Sequence, residues 1–577
     1  MTLNSYYDEE LRYLRQLGRD FARERPEAAS LLESPAVDPD VERLLEGVAF
    51  LCADVRRRLD ADLSEYTQAL IANLWPHLLH PVPAATILRF RPEDGDGITE
   101  SVVVRAGSLV DSIPVADTPC TFRTTEDCAV RPLRVVRTQL RRTHPAALTL
   151  YLECLPGATL ASVGIAPLRL FLGAAAGIGR ELLLLLCERC TLVELRGDDA
   201  AGSVLRLDAG VVRSVGLGRD SALVSYPDRC FDGLRLVHEY FCFPDKFCAV
   251  ELAGWNADGA LAAATRLELA FMLEDLRDDF PQVPADAVQV NCVPAVNLFE
   301  RGADPVRPTA ERNRFPIRPS GHPGAYEVHS IRAISGTVRG VTTPTGYLPV
   351  FSPSRFGSEA KNFYQEYRAP TGDGQRSELE LAFVRADPEA DETLSIDLWC
   401  TNHVLPQRLA PGDIATANPA NPGLPPVTNL FGPSRPLPPP ALDEAGWSFI
   451  GHVTLDSSSF ASLSALRGMI DLNDMRARAD RQAAPAHRRL IEALIGVETQ
   501  TVTRLIDGLG VRGTQYVLTV EEAGFGGPGA LYLFAVVLRE FLAQSASVNT
   551  FTQLCVVGSD GAVVHQFAPR FGRKAML

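Results

Sequence analysis

The sequence is short of the residues on which catalysis depends. Only ten histidines occur among 577 residues, and neither an HExxH nor a GxSxG pattern is present, so the signatures of zinc hydrolases and nucleophile elbows are missing. The acidic clusters Glu274-Asp275 and Asp278-Asp279 read as a solvated edge rather than as paired acid–base carboxylates. No catalytic, cofactor-binding or metal-ligating residue is assigned. Positive charge is also in deficit: 56 Lys and Arg stand against 71 Asp and Glu, a formal net charge of −15. A surface that acidic repels phosphate backbones and anionic lipid, so nucleic acid and membrane are not expected partners. The most apolar stretch, LRLFLGAAAGIGRELLLLLC, is interrupted by Arg180 and Glu181 and does not read as a membrane span. The start, MTLNSYYDEELRYLR, carries acids at once and has no apolar signal core. Twelve cysteines are scattered among apolar neighbours, as at Cys52, Cys242, Cys248 and Cys555. That pattern fits reduced, buried thiols and a cytoplasmic protein.

What the sequence does hold is ordinary globular material, 46% hydrophobic and 22% charged, in a chain long enough for roughly three or four packed units. The spacing of Tyr7, Leu11, Leu14, Leu17 and Phe21 predicts an amphipathic helix that Pro26 stops. A second helix is expected from Asp38-Pro39, with the stripe Val41, Leu44, Leu45, Val48, Leu51, Cys52, Val55 and Leu59. A third is expected through Leu63, Leu70, Ile71 and Leu74, ending at Pro76. From about residue 85 the period drops to two: Leu148/Leu150/Leu152, Leu267/Leu269/Phe271/Leu273, Leu379/Leu381/Phe383 and Leu394/Ile396/Leu398 alternate with polar residues. This predicts antiparallel sheets with one buried face. Eleven prolines between Pro406 and Pro440 predict an extended connector that joins no ladder. Beyond it, a strand WSFIGHVTL, helices around Phe460–Ile470 and His487–Ile495, a strand TQYVLTV, a helix Leu531–Leu542 and a hairpin across Ser559-Asp560-Gly561 are expected. The fold class is therefore α+β and multidomain: a helical segment 1–82, β-rich domains 83–330 and 331–440, and an α+β domain 441–577.

Four motifs invite chemistry and are better read as structure. Cys187 and Cys190 form CERC, but no second Cys pair or Cys/His cluster lies near to complete four zinc ligands. In GAAAGIGRE the Walker Lys-Ser/Thr is replaced by Arg180-Glu181, and Leu182 stands where a dinucleotide loop wants glycine. The glycines of GFGGPGA (Gly524, Gly526, Gly527, Gly529) suit a tight turn into a helix, with no basic residue until Arg539 to hold an anion. His77 and His80 in PHLLHP have no third ligand in sequence and are expected to cap carbonyls or face a partner.

A set of stretches, in order along nearly the whole chain, resembles the TssF (VasA/ImpG) family of type VI secretion baseplate proteins. They are YYDEELRYLRQLGRDFARERPEAA, DPDVERLLEGVAFLCADVRRRLD, LWPHLLHPVPA, YFCFPDKFCAVEL, NCVPAVNLFERGADPVRP, AYEVHSI, IDLWCTNHVLP, WSFIGHVTL, RGTQYVLTVEE and FLAQSASVNTFTQL with the terminal PRFGRK. The resemblance implies a structural wedge subunit with β-rich wing domains and a terminal domain like that of contractile-phage wedge proteins, and no enzymatic activity. It implies two TssF copies clasping one TssG, with six wedges around a VgrG spike. TssK would lie outside and link the baseplate to the inner-membrane complex, and TssE and the TssB/TssC sheath would lie against the wedge. Under that resemblance the stripe Tyr7, Leu11, Leu14, Leu17 and Phe21 has two readings: burial within this chain, or packing in a bundle shared with TssG and the second copy. The set Leu531, Phe534, Val537, Leu538 and Phe541 reads as internal core, and Val548, Asn549 and Phe551 as the contact between copies. A wedge protein of a phage-like contractile injection particle is the alternative within this class. An enzyme or sugar-binding module on the β domains is the rival outside it, and it would need a convergent polar pocket.

Overall fold

In the computed structural model the described residues are 3–24, 39–92, 99–173, 177–198, 204–227, 230–309, 311–322, 324–351, 361–371, 376–440, 459–506 and 508–573. The chain divides into two compact units, residues 1–73 with 441–450, and residues 74–440 with 451–577.

The first unit is built on two helices where the sequence suggested part of three. Helix α1 is Leu3–Glu24, and α2 runs unbroken from Pro39 to Leu74. The residues between the second and third expected helices, Asp60-Ala61-Asp62, contain no proline or glycine, so nothing interrupts the hydrogen-bond ladder there. Pro39 opens α2 as anticipated, its missing N–H falling where no intrahelical bond would form. The two helices run antiparallel: Arg15 pairs with Glu42 near one end, and Arg56 reaches Glu10 at 2.8 Å and the Tyr6 ring near the other. Such half-exposed pairs orient more than they stabilise.

The second unit is mostly β. A six-stranded sheet takes its strands, in order, from Ile414–Ala417, Leu109–Val115, Thr118–Thr124, Cys292–Val296, Ala85–Phe90 and Val427–Asn429. A five-stranded antiparallel sheet runs 204–208, 190–197, 266–273, 146–154, 133–141, and a four-stranded one 212–214, 249–252, 168–172, 288–289. A seven-stranded sheet orders 299–302, 392–401, 327–338, 345–349, 362–370, 377–384, 315–316. The alternating runs sit in these sheets as their period required. Leu148, Leu150, Leu267, Leu269, Phe271, Leu381, Leu394, Ile396 and Leu398 are all buried at 1% exposure or less.

Two expectations fail here. The proline-rich stretch does join a ladder, through its segments 414–417 and 427–429. Both lie between prolines rather than on them, and both occupy the outer edges of their sheet, where fewer donors are needed. The proposed division at residue 330 falls inside the strand Glu327–Val338, and strands 299–302 and 315–316 from before it belong to the seven-stranded sheet. Spatial units are therefore interleaved in sequence.

Among the described residues seven further helices lie in this unit, the first five being α3 Ile178–Glu188, α4 Asp232–Cys242, the single turn α5 Ala260–Ala263, α6 Leu463–Asn473 and α7 Met475–Ala479. They are followed by α8 Ala484–Ala493 and α9 Pro528–Ser545. The stretch LRLFLGAAAGIGRELLLLLC divides into a strand, 168–172, and α3; no helix among the described residues is long and apolar enough to cross a membrane. The end of the chain forms a sheet of 494–506, 509–520, 551–558 and 563–566, with 570–571 also on 551–558. Strands 509–520 and 551–558 are parallel and joined by α9, while Asp560-Gly561 turns the last hairpin with Gly561 at φ 83°. The helix expected to reach Ile495 stops at Ala493, because a β-branched run, VETQTVT, takes over. The expected strand WSFIGHVTL lies outside the described residues.

Candidate functional site: an apolar helical surface and a buried polar hub

The N-terminal stripe is only half consumed by its own unit. Leu11 is buried and Tyr7 and Leu14 are half-buried, but Leu17 and Phe21 are 52% and 46% exposed. On α2 the residues read as the core stripe point the other way: Leu44, Val48, Leu51 and Val55 are exposed, with Leu44 at 70% and Leu51 at 65%. Over this stretch α2 buries Ala49 and Ala53 instead, both at 0%; Thr67 and Ile71 are buried only further along it. Alanine permits a close approach of helices, so the small residues are buried and the large ones are left for something else. The exposed set recurs at spacings of four, three and four, which is the seam spacing of a helical bundle. Contiguous bare apolar surface of this kind marks an interaction site.

The C-terminal candidates separate. Val548 (52%) and Asn549 are exposed in the connection after α9, whereas Phe551 is at 0% inside the terminal sheet and cannot meet a partner. The strand is covered on both faces, with every residue from Phe551 to Val556 buried. Leu531, Phe534, Val537, Leu538 and Phe541 are all core, at 4% or below.

His77 is buried, and His80, which follows the turn Pro76–Leu79 with its N–H on the His77 carbonyl, is half-buried. The turn Pro76–Leu79 stacks His77 on Tyr226, with ring centroids 3.5 Å apart, and His80 lies 4.8 Å from His329. His238 from α4 joins them around a small cavity of about 20 Å³ that Glu239 and Cys242 also line. Burial pulls all four imidazoles down, His238 to about 4 and His329 to about 3, the latter also beside Arg368. They are neutral at pH 7. Among the described residues no three His, Cys, Asp or Glu side chains are placed to hold a metal ion.

Beside the histidines, α4 carries an ionic hub hidden from water. Arg235, Lys246 and Glu239 are exposed by 1% or less. Glu239 accepts from Arg235 Nη1 at 2.9 Å, from Lys246 Nζ, and from the Leu223 N–H at 2.8 Å. Arg235 also grips Asp232, which in turn accepts from Gln544 of α9 at 3.1 Å. Burial lowers the Lys246 ammonium, and Glu239 opposes that shift. Sequence reading missed this hub, although the i,i+4 pair Arg235–Glu239 followed by FPDKF was the signal available.

The remaining motifs turn out structural. Burial raises the Cys187 and Cys190 thiols to about 12 and about 11, so neither supplies a thiolate. The glycine-rich turn before α9 does meet an anion, but it comes from the chain itself: the Gly529 N–H donates to the Glu181 carboxylate of α3 at 2.9 Å. A Cβ on Gly529 would lie 2.5 Å from the Arg180 backbone. Gly529→Ala is therefore expected to cost about 1–3 kcal/mol by forcing the two helices apart, read as a lowered thermal midpoint. An unchanged midpoint would show that α3 can yield.

The sequence and the fold have known counterparts. The family described as "Type VI secretion system, TssF" matches residues 1–574. The type VI secretion system component TssF1 of Pseudomonas aeruginosa is 30% identical over 97% of this chain and 97% of its own length. A chain of the TssK–TssF–TssG baseplate subcomplex of the type VI secretion system, seen by cryo-electron microscopy, superposes with a TM-score of 0.77 at 27% identity, over 92% of this chain and 99% of that one. A chain of a second type VI baseplate complex shares the fold, with a TM-score of 0.60 at 24% identity over the whole of both chains. The protein belongs to the TssF family of the type VI secretion system.

Proposed function

We propose that this chain is a wedge subunit of the type VI secretion baseplate, a scaffold that works through buried interface rather than chemistry. Its nearest partners in this reading are TssG and TssK, with two copies of the chain to each TssG. TssE, the VgrG spike and the TssB/TssC sheath lie further along the same assembly, which sits in the cytoplasm and is docked at the inner membrane. The single observation that carries the reading is the bare stripe of Leu17, Phe21, Leu44, Val48, Leu51 and Val55 on the N-terminal hairpin. Two helices cannot bury both faces of themselves. Adding helices from another chain completes a bundle, and obligate contacts of that class bury ~2,000 Å² or more of largely apolar surface.

The test is co-expression with the adjacent TssG. Wild-type chain is expected to co-purify with it as a two-to-one complex by native mass. Leu17→Asp with Leu51→Asp is expected to abolish capture while leaving the chain soluble and its thermal midpoint unmoved, because both side chains are already exposed. Capture at wild-type yield by the double variant would sink the bundle reading.

A further inference from the structure

Where α9 ends, the terminal sheet carries an open cavity of about 360 Å³ between its strands and the connection 545–550. A row of threonines crosses it. Thr501 opposes Thr514, and Thr514 lies beside Thr552, in the registers of three neighbouring strands, so the three side chains share one face. Thr552 is only 3% exposed, yet its Oγ1 has no hydrogen-bond partner among the described residues. A hidden polar group left unsatisfied is uncommon in a folded chain, and it calls for a partner that the chain itself does not supply. Ser547 and Thr550 bring two more hydroxyls to the cavity. Arg512 is the single charged side chain among the lining residues, and no carboxylate shares the space with it. It stands two residues before Thr514 on one strand and therefore on the same face. Its side chain is exposed, and no described residue pairs with it. In a chain with 71 acids against 56 bases, a guanidinium left without an acid is against the trend.

We propose that this cavity binds a small hydroxylated monocarboxylate of the sugar-acid class. Arg512 supplies the anion contact: its planar fork of N–H donors matches a carboxylate two bonds at a time. The hydroxyls of Thr501, Thr514, Ser547 and Thr550 each donate and accept, so they suit a ligand body that carries hydroxyls of its own and not an apolar one. Charge selects between anions. One guanidinium balances one negative charge, whereas a phosphate dianion would bring a second beside the end of α9, where the helix dipole is negative. The cavity is also larger than a bare carboxylate needs, which leaves room for the hydroxylated body. The inference goes beyond the wedge reading and does not depend on it.

The experiment is isothermal titration calorimetry on the full chain, with D-gluconate and D-glucuronate as probes and D-glucose, acetate and inorganic phosphate as comparisons. At least one of the two sugar acids is expected to bind saturably at one site. Glucose lacks the charge and acetate lacks the hydroxyls, so each is expected to bind about tenfold more weakly or worse. Arg512→Met is expected to weaken the sugar acid by about tenfold or more, and Arg512→Lys to recover part of the loss, because an ammonium keeps the charge but not the fork. Thr514→Val, which removes a hydroxyl and keeps the shape, is expected to weaken it by about threefold or more. Arg512 is exposed, so its variants should melt as wild type does, and that check separates lost binding from lost fold. No saturable binding of either sugar acid, wild-type affinity in Arg512→Met, or phosphate or glucose binding as tightly as the sugar acid overturns the proposal. The Arg512→Met chain is expected to capture TssG at wild-type yield, which supports a ligand site separate from the helical stripe. Loss of capture together with loss of binding would make the cavity part of a protein interface and overturn it.

Discussion

Glu239→Leu is expected to lower folding stability by about 3–5 kcal/mol, because it takes the shared carboxylate from two buried cations, leaving Arg235 with Asp232 and Lys246 without its ion-pair partner. Measured by urea unfolding with the midpoint and slope both fitted, the loss should fall in the midpoint. Lys246→Met is expected to be milder, since Glu239 keeps Arg235 at 2.9 Å and the Leu223 N–H at 2.8 Å. The effect should also reach the terminal domain. Asp232 ties α4 to α9 through Gln544, and Phe231 lies 5.6 Å from Phe541 across the same contact. A Glu239→Leu chain within about 1 kcal/mol of wild type would mean that water reaches the hub and screens it.

The second large effect is with pH. His77, His80, His238 and His329 are held neutral by burial, so their folded pKa values lie below the ordinary histidine value. Below about pH 6.5 the unfolded chain binds protons that the folded chain refuses, and each such histidine removes about 1.4 kcal/mol per pH unit. The contribution of these four histidines is therefore expected to be constant above neutrality and stability to fall with growing slope from about pH 6.5 toward pH 4.5. His487 runs the other way. Burial pulls it down, but Asp471 and Asp474 outweigh that and raise it to about 9. Its contribution is complete below pH 6.5 and fades as pH rises through 9, so it neither causes nor offsets the acid loss. Differential scanning calorimetry across this range checks the slope. Replacing His238 by leucine is expected to flatten it by one proton's worth, and an unaltered slope would remove that histidine from the acid transition.

Much of this was written in the local sequence. Period-two runs placed the strands of the large sheets, since alternation needs only a wet and a dry face. Pro39 opened α2, and Gly561 marked the last hairpin. The ordered motifs, from YYDEELRYLRQLGRDF to the terminal PRFGRK, were sufficient to recognise the family. Other features had no local signature. The histidine pocket draws from a turn at residue 77, a helix at 238 and a strand at 329, so no window of sequence contains it. Sheet membership interleaved 299–338 with 392–401 and recruited 414–429 to strands near 85 and 109.

What the sequence by itself determined was which residues are amphipathic, at what period, and which family they compose. What only the tertiary structure decided was direction. On α2 the period is the same whether the leucines or the alanines face inward, and the close approach of α1 selects Ala49 and Ala53 for the inside. That choice leaves Leu44 and Leu51 outside, because in a helix one face can be buried only by turning the opposite face to the surroundings.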